Sequence, residues 1–314
     1  VRRLEYFFVS PLVLVLGPTG AGKSDLALDI AAQFNGEIVN CDSIQLYRGF
    51  DIGAAKTPEA ERRGIPHHLI DVLDPRAECT AGEYARMARA VIRDIAARER
   101  LPVVAGGTGF YVRALLEGLF PGPMRDEALR DDLARREDRR RGFLHRALRR
   151  LDPQAAARIH ANDRNKLIRA LEVCMTARRP MSQMFEAGRQ ALEGFRTLKL
   201  GLNPPREQLY SRLDERCRRM VEAGLLDEVR ALLRSGVPPC AKPFQAIGYK
   251  EALAAVEGRI TVDEALALMQ RDTRRYAKRQ MTWFRRESDM HWVSGFGTQP
   301  EIRSYALNNI AKWM

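Results

Sequence analysis

Gly17-Pro18-Thr19-Gly20-Ala21-Gly22-Lys23-Ser24 fills every position of the phosphate-binding loop pattern G-x-x-x-x-G-K-[ST]. Its flanks suit that reading. Leu12 to Leu16 is a short apolar run that reads as a buried strand, and Leu26, Ala27, Ile30, Ala31 and Phe34 fall at the spacing of one helix face. Strand, glycine-rich turn and helix together predict an α/β fold with a parallel sheet flanked by helices. The glycines let backbone N–H groups face phosphate oxygens, the helix N-terminus adds partial positive charge, and Lys23 adds a full one. Ser24 is placed to hold Mg2+. The competing reading is a glycine-rich turn that binds nothing, and four fixed positions in the right context weigh against it.

Further strands follow the same logic. Gly36 to Asn40 reads as a second strand ending at Cys41-Asp42-Ser43. In an open α/β sheet, ligands gather outside the carboxyl ends of the strands, which puts Asp42 on the edge of the phosphate loop. Asp42 is a candidate for chemistry; an N-cap of the turn at Ser43 is the alternative. A third short strand lies in the segment from His67 to Pro75. Its adjacent histidines cannot share a helix face and have no companion ligands, so they read as structural. Ala81 to Arg98 is helical, and Leu101 to Gly106 is a buried strand running into a second glycine turn, Gly106-Gly107-Thr108-Gly109, which opens a helix over 110–116. Residues 1–120 are thus the first part of a core. Between 121 and 196 strand-like runs vanish and arginines crowd in, marking an all-helical insertion domain. Residues 197–293 return to the core as a strand and then helices, and 294–314 form a tail without a readable role. Near the end of a long helix over 262–286, aromatics interleave with cations, an arrangement that suits a nucleic-acid strand. Trp283 and Phe284 in a core, with solvated cations, is the plainer alternative.

Composition narrows the class. Fifty-two Lys and Arg against 40 Asp and Glu leave a net charge of +12, which points to a polyanionic partner or to a basic, solvated surface. No run approaches the ~18 apolar residues of a membrane helix, and the apolar part of Val1 to Pro11 is too short for a secretory signal. Five scattered cysteines indicate neither a disulfide framework nor a zinc site, as expected in a reducing cytoplasm.

The ordered set of motifs closely resembles the bacterial tRNA dimethylallyltransferase family over roughly residues 12 to 293. Besides the phosphate loop, the set comprises Asp42-Ser43-x-Gln45-x-Tyr47, Asp51-Ile52-Gly53, Gly106-Gly107-Thr108, Arg169-Ala170-Leu171-Glu172, Ile247-Gly248-Tyr249 and Lys278-Arg279-Gln280-x-Thr282-Trp283-x-Arg285. The resemblance implies a P-loop NTPase-like core that moves a dimethylallyl group from dimethylallyl diphosphate to the exocyclic amine of the adenosine just 3′ of the anticodon. It implies Asp42 as the base, and Thr19, Lys23 and Arg216 as groups that meet the departing diphosphate. It also implies a tRNA surface of Asp42, Ser43, Ile44, Gln45 and Thr108. Arg164, Asn165, Lys166, Leu167, Ile168 and Arg169 join it from the insertion. Gln245, Ala246, Ile247, Gly248, Tyr249 and Lys250 follow, with Lys278, Arg279, Gln280, Met281, Thr282, Trp283, Phe284 and Arg285 from the long helix. The expected partner is the anticodon stem-loop of tRNA, no membrane is involved, and a monomer is expected.

The chain departs from the family at Gly53-Ala54-Ala55-Lys56-Thr57, where Gly-Thr-Ala-Lys-Pro is usual, losing a hydroxyl. Two other classes remain open at this point. An ATP-dependent P-loop kinase or ATPase acting on RNA would need a second metal acid, for which Asp71 is the one candidate. A nucleotide-sensing RNA-binding protein would leave Asp42 as a cap.

Overall fold

The computed structural model describes residues 9–120, 122–186, 188 and 190–314; the leading residues 1–8, which open the stretch judged too short for a secretory signal, lie outside it. The chain divides into two compact units, Val1–Leu115 with Leu192–Met314, and Leu116–Ala191.

In the first unit, β1 (Ser10–Leu16), β2 (Gly36–Cys41), β3 (His67–His68), β4 (Leu101–Gly106), β5 (Phe195–Leu202) and β6 (Met290–Val293) form one parallel sheet in the order β3-β2-β4-β1-β5-β6. The apolar run Leu12 to Leu16 is fully buried because β1 has neighbours on both sides, as a central parallel strand must. The register aligns the carboxyl ends: Gly106 of β4 faces both Leu16 of β1 and Cys41 of β2. The residues that follow, Gly17, Asp42 and Gly107, therefore leave the sheet along one edge.

Helices α1 (Lys23–Gln33), α2 (Ala81–Ala97) and α3 (Gly109–Leu116) follow β1, β3 and β4. A capping box of Thr80 and Glu83 starts α2. Nothing of this kind starts α1, whose preceding residue is Gly22 at φ 80°, so its first amides keep no side-chain acceptor. An anion is the complement of such an end.

The second unit holds α4 (Glu127–Arg139), α5 (Phe143–Leu151), α6 (Pro153–Arg158), α7 (Arg164–Ala177) and α8 (Met181–Glu186) around a core that includes Leu133, Leu144, Leu148, Leu167, Ile168 and Leu171. Glu172, fully buried, takes Arg130 at 3.1 Å and Arg169 at 2.7 Å, and accepts the Asp126 N–H at 2.7 Å. Charge pairing with hydrogen bonds is what lets a carboxylate sit there.

Back in the first unit come α9 (Arg206–Glu222), α10 (Leu225–Arg234), α11 (Tyr249–Val256), α12 (Val262–Phe284) and α13 (Pro300–Trp313). The tail has a place in the fold: α13 packs on α1, burying Ala306 and Ile310 in the same cluster as Leu26 and Ile30. Burying a side chain such as Ile310 contributes about 1.5–3 kcal/mol.

Candidate active site

The phosphate loop is tied to the second glycine turn by one side chain. Gln280 of α12 accepts the Thr19 N–H at 2.8 Å and donates to the Gly107 carbonyl at 2.9 Å. A Cβ on Gly107 would stand 2.2 Å from the Gln280 amide nitrogen, so the close approach requires glycine there. Both ends of this buried amide are thus used inside the protein, and Gln280 braces the loop. Lys23 folds back to donate to the Pro18 carbonyl at 2.8 Å, and Arg216 of α9 donates to Thr19 Oγ1 at 3.2 Å.

Asp42 proves to be a cap, and that does not use it up. Its Oδ1 accepts the N–H groups of Ile44 at 2.8 Å and Gln45 at 3.4 Å, while Asn40 holds its backbone from both sides, at 2.9 and 3.0 Å. Oδ2 takes no part in these bonds. One oxygen fixes the carboxylate and the other is left for chemistry.

Two cavities meet at this point. The first, of 210 Å³, is polar and is walled by the phosphate loop, Ser24, Asp25, Asp42 and the guanidinium groups of Arg212, Arg216 and Arg219. The second, of 420 Å³, is lined in large part by apolar and aromatic side chains, among them Ile44, Leu213, Met220, Tyr249, Met269 and Tyr276. Thr19, Asp42, Ala54 and Arg216 belong to the walls of both. Ala54 is the position where the sequence departs from the family pattern, so the missing hydroxyl would have faced ligand space.

Burial lowers the Lys23 ammonium to about pH 8 even though Asp42 pulls the other way. Burial likewise pulls the Arg216 guanidinium down. An incoming polyanion relieves both. A pH dependence follows, because above about pH 8 part of the Lys23 population must first take up a proton to meet an anion. The affinity for inorganic diphosphate, divided by that of Lys23→Arg, is expected to fall roughly tenfold per pH unit above that value and to be flat below it. Calorimetric titrations between about pH 6.5 and 9.5 check this; a ratio flat throughout assigns the titration to another group.

The RNA-facing residues separate on inspection. Leu167 and Ile168 are buried in the helical unit, and Phe284 is fully buried, so their places in the motifs reflect packing and not contact. Four of the cations already hold carboxylates: Arg164 with Asp138 at 2.7 Å, Lys166 with Asp163 at 2.6 Å, Arg169 with Glu172, and Lys250 with Asp272 at 2.9 Å. Trp283 packs against Gly109 under the Arg113 guanidinium, 4.6 Å from its ring centre. By contrast Lys278, Arg279 and Arg285 are exposed with no acidic partner among the described residues. Ser43, Ile44, Gln245, Ala246, Ile247, Gly248, Tyr249 and Arg279 line the apolar cavity, and Gln45 lines the polar one. Thr282 is exposed and returns its hydroxyl to the Lys278 carbonyl at 2.9 Å. Arg164 to Arg169 belong to the helical unit.

The acid that an ATPase reading relied on is engaged elsewhere. Asp71 is paired with Lys56, which also holds Asp51 at 2.7 Å and the Tyr47 carbonyl at 2.7 Å. It lies in the wall of neither cavity. The histidines are structural: His68 faces Glu37 at 2.6 Å and His67 the Ile65 carbonyl at 2.8 Å. What the sequence reading missed is Arg212 and Arg219 beside Arg216. Their i, i+4, i+7 spacing on α9 was the available signal.

The chain is similar to known proteins over nearly all of its length. A family described as IPP transferase matches residues 45–287. A tRNA dimethylallyltransferase of Solibacter usitatus is 61% identical over 97% of this chain and 99% of its own length, and one of Koribacter versatilis is 51% identical over 95% and 97%. Among solved structures, a full-length tRNA isopentenylpyrophosphate transferase from Bacillus halodurans is similar with TM-score 0.72 and 37% identity, covering 96% of each chain. A eukaryotic dimethylallyltransferase acting on tRNA is similar with TM-score 0.80 and 29% identity, over 97% of this chain and 80% of that one.

Proposed function

The chain belongs to the IPP transferase family and its chemistry is dimethylallyl transfer to tRNA; from that premise we propose that the donor is dimethylallyl diphosphate and the acceptor the exocyclic amine of the adenosine immediately 3′ of the anticodon. The observation that carries this reading is the junction of a polar, cation-walled cavity with an apolar one at Thr19, Asp42 and Arg216. A molecule with a diphosphate at one end and a hydrocarbon at the other has that polarity.

In the proposed step the carbon–oxygen bond to diphosphate breaks while the amine nitrogen bonds the same carbon. The amine lone pair is delocalised into the adenine ring, so its proton must leave as the bond forms. Asp42 Oδ2 accepts it. Lys23, the Thr19 hydroxyl held by Arg216, and the open amides of α1 meet the charge that collects on the departing diphosphate. To reach Asp42 in the cavity wall the adenosine must leave its stack. Mg2+ is part of the proposal: the Ser24 hydroxyl with the Asp25 carboxylate presents hard oxygen donors in one wall, which suit this ion together with phosphate oxygens. When bound, it supplies further neutralisation of diphosphate charge.

Among the described residues no helix is long and apolar enough to cross a membrane. Five free cysteines suit the cytoplasm as the proposed compartment. For the RNA, Lys278, Arg279 and Arg285 have charge to give, and Lys278 and Arg285 lie outside the walls of both cavities. Lys278→Ala and Arg285→Ala are each expected to reduce the log–log salt slope of tRNA binding by ~1, and Arg164→Ala to leave it unchanged because that charge is spent on Asp138 in a one-to-one, two-bond pair. Filter binding across a salt series checks both. The reading as a whole is tested by nuclease digestion and mass mapping of unmodified tRNA after reaction with dimethylallyl diphosphate. One added dimethylallyl group on the adenosine 3′ of the anticodon supports it; addition to another nucleoside contradicts it.

A further inference from the structure

Arg212 lines the polar cavity together with Arg216 and Arg219, one face of α9 turned to the phosphate loop. Against these three and Lys23 the same walls carry only Asp25 and Asp42. Arg212 has no acidic partner among the described residues. Its guanidinium instead donates to Thr298 Oγ1 at 3.2 Å and lies over the Phe296 ring, 5.1 Å from its centre. Neither partner neutralises it, and both aim it. An unpaired cation held in a partly buried wall is costly unless an anion is to arrive.

The segment that holds Arg212 also braces the loop. The Gly297 N–H donates to the Ala21 carbonyl at 2.8 Å, and a Cβ on Gly22 would meet the Thr298 and Gly297 amides at 3.0 and 3.1 Å. The Phe296 N–H is tied to Gln299 Oε1 at 2.6 Å, just before α13 begins. The close fit at Gly22 and Gly297 sets the distance between the loop and the segment.

We propose that Arg212 is a further diphosphate-binding residue beside Arg216, and that Phe296 and Thr298 of the C-terminal segment are positioning residues that hold it toward the phosphate loop. This rests on the reading of the polar cavity as the diphosphate site. It gives residues 294–299 a function that their sequence alone does not suggest.

The test uses the full chain, with inorganic diphosphate as the probe in isothermal calorimetry and melting temperature recorded on each variant. Arg212→Ala is expected to weaken binding roughly 10- to 100-fold, the range for losing a charge-assisted contact. Thr298→Val is expected to weaken it about threefold to tenfold in the parent, Thr298→Ser to restore it, and Thr298→Val to cost nothing more in an Arg212→Ala background. That non-additivity separates positioning from a general loosening of the loop, which would persist without Arg212. Arg212→Ala within twofold of the parent, while Lys23→Ala binds poorly, overturns the assignment of Arg212. Full additivity of the two changes overturns the positioning role. If neither Lys23→Ala nor Arg212→Ala weakens diphosphate, the fault lies with the cavity's assignment itself.

Discussion

Asp42→Asn is expected to reduce the rate of a single turnover of prenyl transfer by ~10²- to 10⁴-fold, with the melting temperature and the affinities for donor and tRNA little changed. The structure makes this variant more informative than removal of the side chain. Asp42 Oδ1 caps the turn by accepting from Ile44 and Gln45, and an Asn carbonyl oxygen does the same. What the amide cannot do is take a proton at the position of Oδ2. A purely capping Asp42 therefore predicts normal turnover in the variant, and a base predicts a stable, binding-competent, slow enzyme. Turnover within about tenfold of the parent, with the fold intact, removes Asp42 as the base.

Lys23→Ala is expected to cost ~3 to 4 kcal/mol of transition-state stabilisation, a few hundredfold or more in rate, while tRNA affinity stays near the parent value. Lys23 sits in the polar cavity, bonded to the Pro18 carbonyl within its own loop, and is absent from the wall of the apolar one. The separation of effects is the point of the measurement. If tRNA binding fell as far as the rate, the loop would be serving the polynucleotide and not the leaving group.

The strands and the loop were legible because the information is local. Five buried apolar residues, a glycine turn and a helix face lie consecutively, and the edge shared by Gly17, Asp42 and Gly107 follows from parallel strands ending in register. Two other features depend on contacts between residues far apart in the chain. The brace from Gln280 to Thr19 spans 261 positions, and that from Arg212 to Thr298 spans 86. Nothing near either residue announces its partner. The tail was opaque for the same reason, since α13 is defined by what it covers on α1. The pairing of Arg169 with Glu172 was local, at i and i+3, and so was the apolar spacing of Leu167, Ala170 and Leu171. Both signals place that stretch of α7 in a packed helix, and family motif membership had drawn it toward the RNA. Asp42 shows the opposite case: the cap and the base were set against each other as alternatives, and the two carboxylate oxygens accommodate both.

The central claim is that this phosphate loop holds a leaving group and does not drive nucleotide hydrolysis. Its most direct test is one single-turnover experiment with excess protein, carbon-labelled dimethylallyl diphosphate, ATP labelled on its terminal phosphate, Mg2+ and unmodified tRNA. The account predicts carbon label in the RNA, with diphosphate released in equal amount and ATP intact. Phosphate released from ATP on addition of RNA, with no carbon label in the RNA, would contradict it.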